Sequence, residues 1–318
     1  MNKYNLLAND GIDPHGKALL EQAGFHVDTT HYNAEELREK ISKFDAITVR
    51  SATLLPKELI DLAPDLKLIG RGGVGMDNID VAHALSKGIK VVNTPAASSL
   101  SVAELVFAHL FSGIRFLYDA NRKMPVEGAA NFSSLKKQYA QGIELSGKTM
   151  GVIGVGRIGQ EVGKIALRLG MRVLAFDLYE VPKQLKLHFA GGMEVDLPVQ
   201  RVELEELLRE ADFISMHVPF TKVPILGMDE FKIIKPGVGI VNTSRGSAID
   251  EQALIEALGD GRVRFAGLDV FQNEPTPCEA VLSHPKISLS PHIGAATGEA
   301  QERVGEELAN QIIAYFAK

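Results

Sequence analysis

Residues with the types and spacing for chemistry fall in the second half of the chain. Gly154-Val155-Gly156-Arg157-Ile158-Gly159 follows an apolar strand pattern at 149–153 and opens a helical pattern at 157–169. In that context Gly154 permits a tight turn, Gly156 lets a pyrophosphate approach the backbone, and Gly159 lets helix and strand pack closely. The unpaired N–H groups and positive end of the helix then face the phosphates. Asp177 ends the next predicted strand, 23 residues after Gly154, where an acid accepts hydrogen bonds from the ribose hydroxyls and repels a 2′-phosphate. Leu178-Tyr179-Glu180 carries no Arg or Lys to hold such a phosphate, which favours NAD over NADP. Three further segments, 241–246, 270–275 and 290–295, each end a predicted strand. Ligands of parallel α/β sheets bind beyond the carboxyl ends of strands, so these segments are candidates to converge there.

The elements that must position these residues alternate along the chain. Short apolar runs at 4–8, 25–28, 46–49, 66–70 and 90–93 are separated by helical patterns at 16–23, 34–43, 56–62 and 79–87. A second series has strands at 149–153, 172–176, 213–218, 239–242 and 264–268, with helices at 157–169, 203–210, 228–233 and 252–258. Strands joined by helix-length crossovers predict parallel sheets covered on both faces. Residues 101–122 read as one long helix, apolar on most sides, buried between domains or against another subunit. Residues 123–142 mix Pro, Gly, Asn and Lys and read as an extended arm. The last pattern, 299–316, is a single helix expected to return to the first domain.

Bulk properties set limits. The 318 residues suggest about two domains. At 45% hydrophobic and 23% charged, the composition is that of a globular chain, not a disordered or fibrous one. No apolar run approaches the roughly 20 residues of a membrane span, and the start lacks the apolar core of a signal peptide. The single Cys278 cannot form an internal disulfide and has no Cys/His partners at zinc spacing, so no metal is expected and a cytoplasmic location is. A net charge of −6, from 34 basic and 40 acidic residues, argues against a general grip on nucleic acid.

Taken together, these motifs resemble the D-isomer-specific 2-hydroxyacid dehydrogenase family over nearly the whole chain. The resemblance implies two doubly wound parallel-sheet α/β domains. A Rossmann NAD-binding domain at 99–290 is inserted in a flavodoxin-like substrate domain formed by 1–98 and 291–318. It implies a homodimer formed through the helix and arm around the insertion. It also implies a catalytic set of Arg245, Glu274 and His292, and a cofactor set that adds Arg157, Ile158, His217, Pro219, Thr243 and Asp269 to the glycine motif and Asp177. The chemistry suits these residue types. Histidine exchanges the hydroxyl proton near neutral pH while hydride passes to the nicotinamide. A carboxylate beside it favours the protonated ring, and Arg245 offers a planar fork to the substrate carboxylate.

The substrate is expected to be a small 2-hydroxy acid. Gly72-Gly73-Val74-Gly75 offers backbone N–H groups to a carboxylate, with Arg50, Ser51 and Arg71 nearby in sequence. Arg50 and Arg71 each end a predicted strand and suit an additional phosphate, so the pattern resembles the phosphoglycerate dehydrogenase branch. That branch implies NAD-dependent oxidation of D-3-phosphoglycerate to 3-phosphohydroxypyruvate, the first step of serine biosynthesis. Lys136 and Lys137 are expected to reach the partner's site, and hinges are expected at 93–98 and 288–291. Two departures stand out. The chain ends at Lys318 without the serine-binding domain many of that branch carry, so feedback through it is not expected, and Ser98 stands where many relatives place Asn. The alternatives are a hydroxypyruvate or glyoxylate reductase with the same machinery, and a nucleotide-sensing interaction protein like the family's co-repressors.

Overall fold

The computed structural model describes residues 3–317. In chain order the first elements are β1 (Tyr4–Ala8), α1 (Pro14–Gln22), β2 (Phe25–Asp28), α2 (Ala34–Lys40), β3 (Ala46–Val49), α3 (Lys57–Ile60), β4 (Leu68–Arg71), α4 (Val81–Ser86) and β5 (Lys90–Asn93). Two helices follow, α5 (Ser99–Ile114) and α6 (Leu117–Gln138). Next come β6 (Thr149–Ile153), α7 (Arg157–Arg168), β7 (Arg172–Phe176), β8 (Gln184–His188), β9 (Glu194–Pro198), β10 (Gln200–Arg201) and α8 (Leu204–Glu210). The remainder is β11 (Phe213–Met216), α9 (Met228–Ile233), β12 (Val238–Asn242), α10 (Glu251–Gly259), β13 (Val263–Leu268), α11 (Glu279–Leu282), β14 (Ile287–Leu289) and α12 (Gly298–Phe316).

The chain divides into two compact units, Met1–Ser101 with Ala295–Lys318, and Val102–Gly294. The dividing points fall a few residues beyond 98 and 290. The Asp269 carboxylate takes the N–H groups of Ile293 and Gly294, each at 2.8 Å, and this keeps the 291–294 strap with the second unit.

In the first unit five parallel strands lie in the order β2-β1-β3-β4-β5, the flavodoxin-like arrangement. Its inner strands β3 and β4 are almost wholly buried because helices cover both faces, while the edge strand β2 leaves His26 exposed. Leu7, Ile47, Val49 and Ile69 face a cluster with Leu37, Leu59 and Ile60, while Leu6, Ala8 and Leu68 face Leu20, Leu308 and Ile312. Helix α12 reaches α1 closely because two glycines meet: a Cβ on Gly16 would lie 2.6 Å from the Gly305 carbonyl carbon.

The second unit holds seven strands in the order β10-β7-β6-β11-β12-β13-β14, all parallel. The order reverses beside β6, as in a dinucleotide-binding sheet. The buried side chains fall into two clusters, one including Leu207, Ile214, Ile240 and Leu254, the other including Val106, Leu110, Val152 and Phe265.

Three expectations need correction. Residues 101–122 are not one helix: Phe116 adopts φ 56° and ends α5, and α6 leaves at a 55° bend. Residues 123–142 are largely helical, not an extended arm. Pro125 sits inside α6 and Asn131 leaves helical geometry, yet Leu135 is buried, Met124 packs over Gly128, and Lys123 pairs with Asp119 at 3.0 Å. A proline deletes a single N–H donor and kinks a helix without ending it where neighbouring packing holds. Finally, β8 and β9 form an antiparallel ribbon within the region expected to be purely alternating. Its buried Leu185 seats on α7, where a Cβ on Gly163 would meet it at 2.7 Å.

Among the described residues no single helix is long and apolar enough to cross a membrane, although α5 and α6 together pass by length and composition. No group of His, Cys, Asp or Glu among them is arranged to hold a metal ion.

Candidate active site

The glycine motif forms the turn between β6 and α7. Gly154 has φ 89°, and a Cβ there would lie 2.3 Å from the His217 carbonyl oxygen. A Cβ on Gly159 would lie 2.0 Å from the Gly154 carbonyl oxygen, so strand and helix meet only without one. At Gly156 a Cβ would meet nothing within 4 Å, so the turn is open on that side. Asp177 closes the other flank: its carboxylate accepts from Val155 N–H at 2.6 Å and from Tyr179 N–H at 3.0 Å. Arg157 is exposed, Ile158 half-buried and Pro219 exposed.

Two buried polar atoms in this unit lack a protein partner, Thr243 Oγ1 and His217 Nδ1. Such atoms are costly unless something else satisfies them, and both lie in segments that leave strands of the nucleotide-binding sheet. His217 is held at its other nitrogen by Ser215 Oγ, 2.7 Å away, and burial pushes its pKa down to about 3, so it is a neutral ring. An open glycine turn at a helix N-terminus, an acid at the end of β7 and these two orphans fit a dinucleotide.

The three chemically capable residues converge in the same unit. Arg245 follows β12, and Asn242 shapes its turn by donating to the Arg245 carbonyl at 2.8 Å and accepting from Ser244 N–H at 3.0 Å. Gly246 brings this turn against the next segment: a Cβ would lie 2.0 Å from the Phe271 carbonyl carbon. The 271–274 loop is pinned in turn. Gln272 N–H donates to Glu251 Oε1 at 2.8 Å, and Phe271 N–H donates to Glu274 Oε1 at 2.9 Å.

Glu274 Oε2 lies 2.8 Å from His292 Nδ1. A carboxylate only accepts, so Nδ1 carries the proton and donates. Burial works to raise the Glu274 pKa, but the His292 and Phe271 donors and the nearby Arg245 charge outweigh it and hold the carboxyl below its usual range. His292 has φ 54°, an uncommon conformation for a residue with a side chain. Neighbouring donors tie that segment to Asp269, which is fully buried and accepts from Ser290 Oγ at 2.6 Å as well as from Ile293 and Gly294.

The first unit holds the other candidates. Arg50 and Arg71 leave β3 and β4, which are neighbours with Val49 opposite Arg71. Arg50 N–H donates to Asp10 Oδ2 at 2.6 Å, and the same carboxylate takes Thr53 N–H and its hydroxyl. Arg71 Nη1 donates to the Gly72 carbonyl at 3.1 Å and lies over Gly73, where a Cβ would be 1.4 Å from it. Gly73 has φ 143°, and its carbonyl accepts from Thr94 N–H at 3.1 Å. Val74 is exposed and its carbonyl accepts from Asn93 at 2.7 Å; Gly75 is half-buried and Ser51 exposed. Arg50 and Gly72 also line a cavity of about 290 Å³ with Thr48, Ile12 and Gln301, at the point where strand order reverses beside β1. Ser98 is buried, while Lys136 and Lys137 are exposed in the last turn of α6.

Residues 107–294 match the sequence profile of the D-isomer specific 2-hydroxyacid dehydrogenase, NAD binding domain. The chain belongs to this family, and its second unit is an NAD-binding domain. A hydroxypyruvate reductase of Thermotoga maritima is 42% identical over 318 residues, covering 98% of each chain. A D-3-phosphoglycerate dehydrogenase of Methanocaldococcus jannaschii is 41% identical over 309 residues, which span 96% of this chain but only 56% of that one. Among solved structures, a glyoxylate reductase of Paecilomyes thermophila superposes with a TM-score of 0.85 at 28% identity, over 100% of this chain and 97% of the other. The chain is therefore a 2-hydroxyacid dehydrogenase that uses NAD.

Proposed function

We propose that the chain oxidises D-3-phosphoglycerate to 3-phosphohydroxypyruvate. The observation that carries this choice of acid is the pair Arg50 and Arg71, leaving neighbouring strands beside the glycine turn that follows Arg71. Two guanidinium groups near an N–H-rich turn suit a substrate with both a carboxylate and a phosphate. No carbonyl or side chain among the described residues accepts from the Val74 or Gly75 N–H groups, which leaves them for the carboxylate.

NAD, when bound, supplies the acceptor for the hydride leaving C2. His292 Nε2 takes the hydroxyl proton, because Nδ1 already donates to Glu274. Glu274 holds the ring in that tautomer and balances its charge once it is protonated. Arg245 stabilises the substrate carboxylate and the developing carbonyl oxygen. Asp177 receives the ribose hydroxyls and disfavours NADP by repelling its additional phosphate.

A second reading, reduction of hydroxypyruvate or glyoxylate, draws on two observations. Arg71 is folded onto its own loop, and the 42%-identical hydroxypyruvate reductase matches end to end. Steady-state rates of NADH formation with D-3-phosphoglycerate, D-glycerate and glycolate separate the two. The first reading expects kcat/KM to favour the phosphorylated acid by about a hundredfold, the worth of charge-assisted phosphate contacts of roughly 3 kcal/mol. Equal or better turnover of the unphosphorylated acids overturns it in favour of the second.

The exposed apolar side chains of Phe111, Leu117, Val126 and Phe132 support a homodimer formed through α5 and α6.

A further inference from the structure

Helix α5 carries a histidine that the chemistry above does not use. His109 is 4% exposed, and both of its ring nitrogens are engaged: Nδ1 lies 2.9 Å from Ser288 Oγ and Nε2 lies 2.9 Å from Ser290 Oγ. Ser290 Oγ lies in turn 2.6 Å from Asp269 Oδ1. The direction of every proton in this series follows from its last member. Asp269 can only accept while ionised, so the Ser290 hydroxyl donates to it and must accept from His109 Nε2–H. A neutral ring with its proton on Nε2 then accepts at Nδ1 from Ser288. Burial lowers the His109 pKa against the opposing pull of Asp269, which agrees with a neutral ring.

The sequence makes room for this arrangement. Gly267 on β13 faces the imidazole, and a Cβ there would lie 2.6 Å from His109 Cβ. The series ends on the strap that bears His292, since Asp269 also takes the N–H groups of Ile293 and Gly294. His292 itself holds a positive φ, a conformation that persists only where surrounding contacts fix it.

We propose that His109 is a positioning residue for proton transfer: through the Ser290 hydroxyl it aims the buried Asp269 carboxylate, which anchors the strap on which His292 meets Glu274. The inference rests on the reading of His292 as the proton carrier. It adds a control from α5, with no contact between His109 and the reacting atoms.

The test compares full-length His109→Leu, Ser290→Ala, the double variant, His109→Gln and Ser288→Ala, with His292→Ala assayed alongside. The expected result is a fall in kcat of about tenfold or more in His109→Leu and Ser290→Ala, the scale on which small misplacements of reacting groups act, larger than any rise in KM for NAD that the displaced Asp269 brings. The double variant falls no further than the worse single one, because both break the same path. His109→Gln, which keeps one donor and one acceptor, recovers most of the loss, and Ser288→Ala stays near wild type. If His109→Leu fails to fold, Ser290→Ala and His109→Gln carry the same prediction. Wild-type kcat in Ser290→Ala, multiplicative losses in the double variant, or no rescue by His109→Gln overturns the proposal. Full turnover by His292→Ala removes the reading beneath it and so overturns both.

Discussion

The carboxylate of Asp177 accepts a hydrogen bond from the backbone N–H of Val155 at 2.6 Å, tying the end of β7 to the glycine turn after β6. In the proposed reading one acid does two things: it holds the turn that would receive the pyrophosphate, and it would meet the adenosine ribose, as acids at this place in such sheets do.

Replacing Asp177 separates those two effects. Asp177→Asn keeps an acceptor for Val155 but removes the charge, so it should narrow the preference for NAD over NADP while weakening NAD modestly. Asp177→Ala should weaken NAD further, by roughly tenfold or more, the worth of a lost charged hydrogen bond. Dissociation constants for both coenzymes check this, and an unchanged ratio in either variant removes the ribose role.

Gly246 is fixed by contact, not by its dihedral angles. A methyl group there meets the Phe271 carbonyl carbon at 2.0 Å, so Gly246→Ala forces the Arg245 turn away from the loop bearing Glu274. The substitution should cost about 1–3 kcal/mol of stability, as overpacking does, and lower kcat more than it raises KM. Thermal unfolding and steady-state kinetics measure the two parts, and wild-type kcat would show that this approach does not matter to the chemistry.

The depressed pKa of Glu274 has a definite sign in stability. Its carboxyl titrates below the ordinary glutamate value of 4.5, so the folded state binds fewer protons than the unfolded chain in this range. The stabilisation is therefore present above about pH 4.5 and is lost as pH falls through the folded value. In Glu274→Gln that contribution is absent at every pH. The Tm difference between the two proteins should be largest near neutrality and shrink as pH drops toward 4. A gap that is constant with pH would contradict the pairing with His292.

Arg50 should distinguish substrates. Arg50→Ala should raise KM for D-3-phosphoglycerate by about tenfold to a hundredfold, the range of a lost charge-assisted contact, and leave D-glycerate nearly unaffected. Equal losses with both acids would assign Arg50 to the loop around Asp10, which already takes its backbone N–H.

Much of the fold is legible in the amino-acid sequence. The runs at 4–8, 25–28, 46–49 and 149–153 coincide with β1, β2, β3 and β6: β3 and β6 because fully buried strands read as continuous apolar runs, β2 because Phe25 and Val27 alternate with exposed or half-exposed polar residues at an edge. The residues of the glycine turn and of the Arg245, Glu274 and His292 segments are readable as motifs, but their convergence is not. It depends on Gly246 lying against Phe271 and on Asp269 gathering the 290–294 strap, contacts between segments far apart in the chain. Helix α6 is hidden by its own composition, since Pro125, Gly128 and Asn131 are loop residues by local preference; the helix continues past Pro125 and past the kink at Asn131 with Gly128 and Leu135 buried, contacts that local preference does not show. The β8–β9 ribbon does carry a signal, Leu185 and Leu187 alternating with the polar Gln184, Lys186 and His188 ahead of Gly191-Gly192, but it is too short to stand out from a surrounding loop. His109 looks like any helical histidine until Ser288 and Ser290 are beside it.

The central claim is that His292, oriented by Glu274, carries the substrate proton. Its most direct measurement is the single-turnover rate of His292→Ala with saturating NAD and D-3-phosphoglycerate, alongside NADH binding by fluorescence. The account predicts a rate lowered by roughly a hundredfold to ten-thousandfold, the usual worth of general acid–base catalysis, with NADH affinity unchanged. A variant that turns over at near wild-type rate would contradict it.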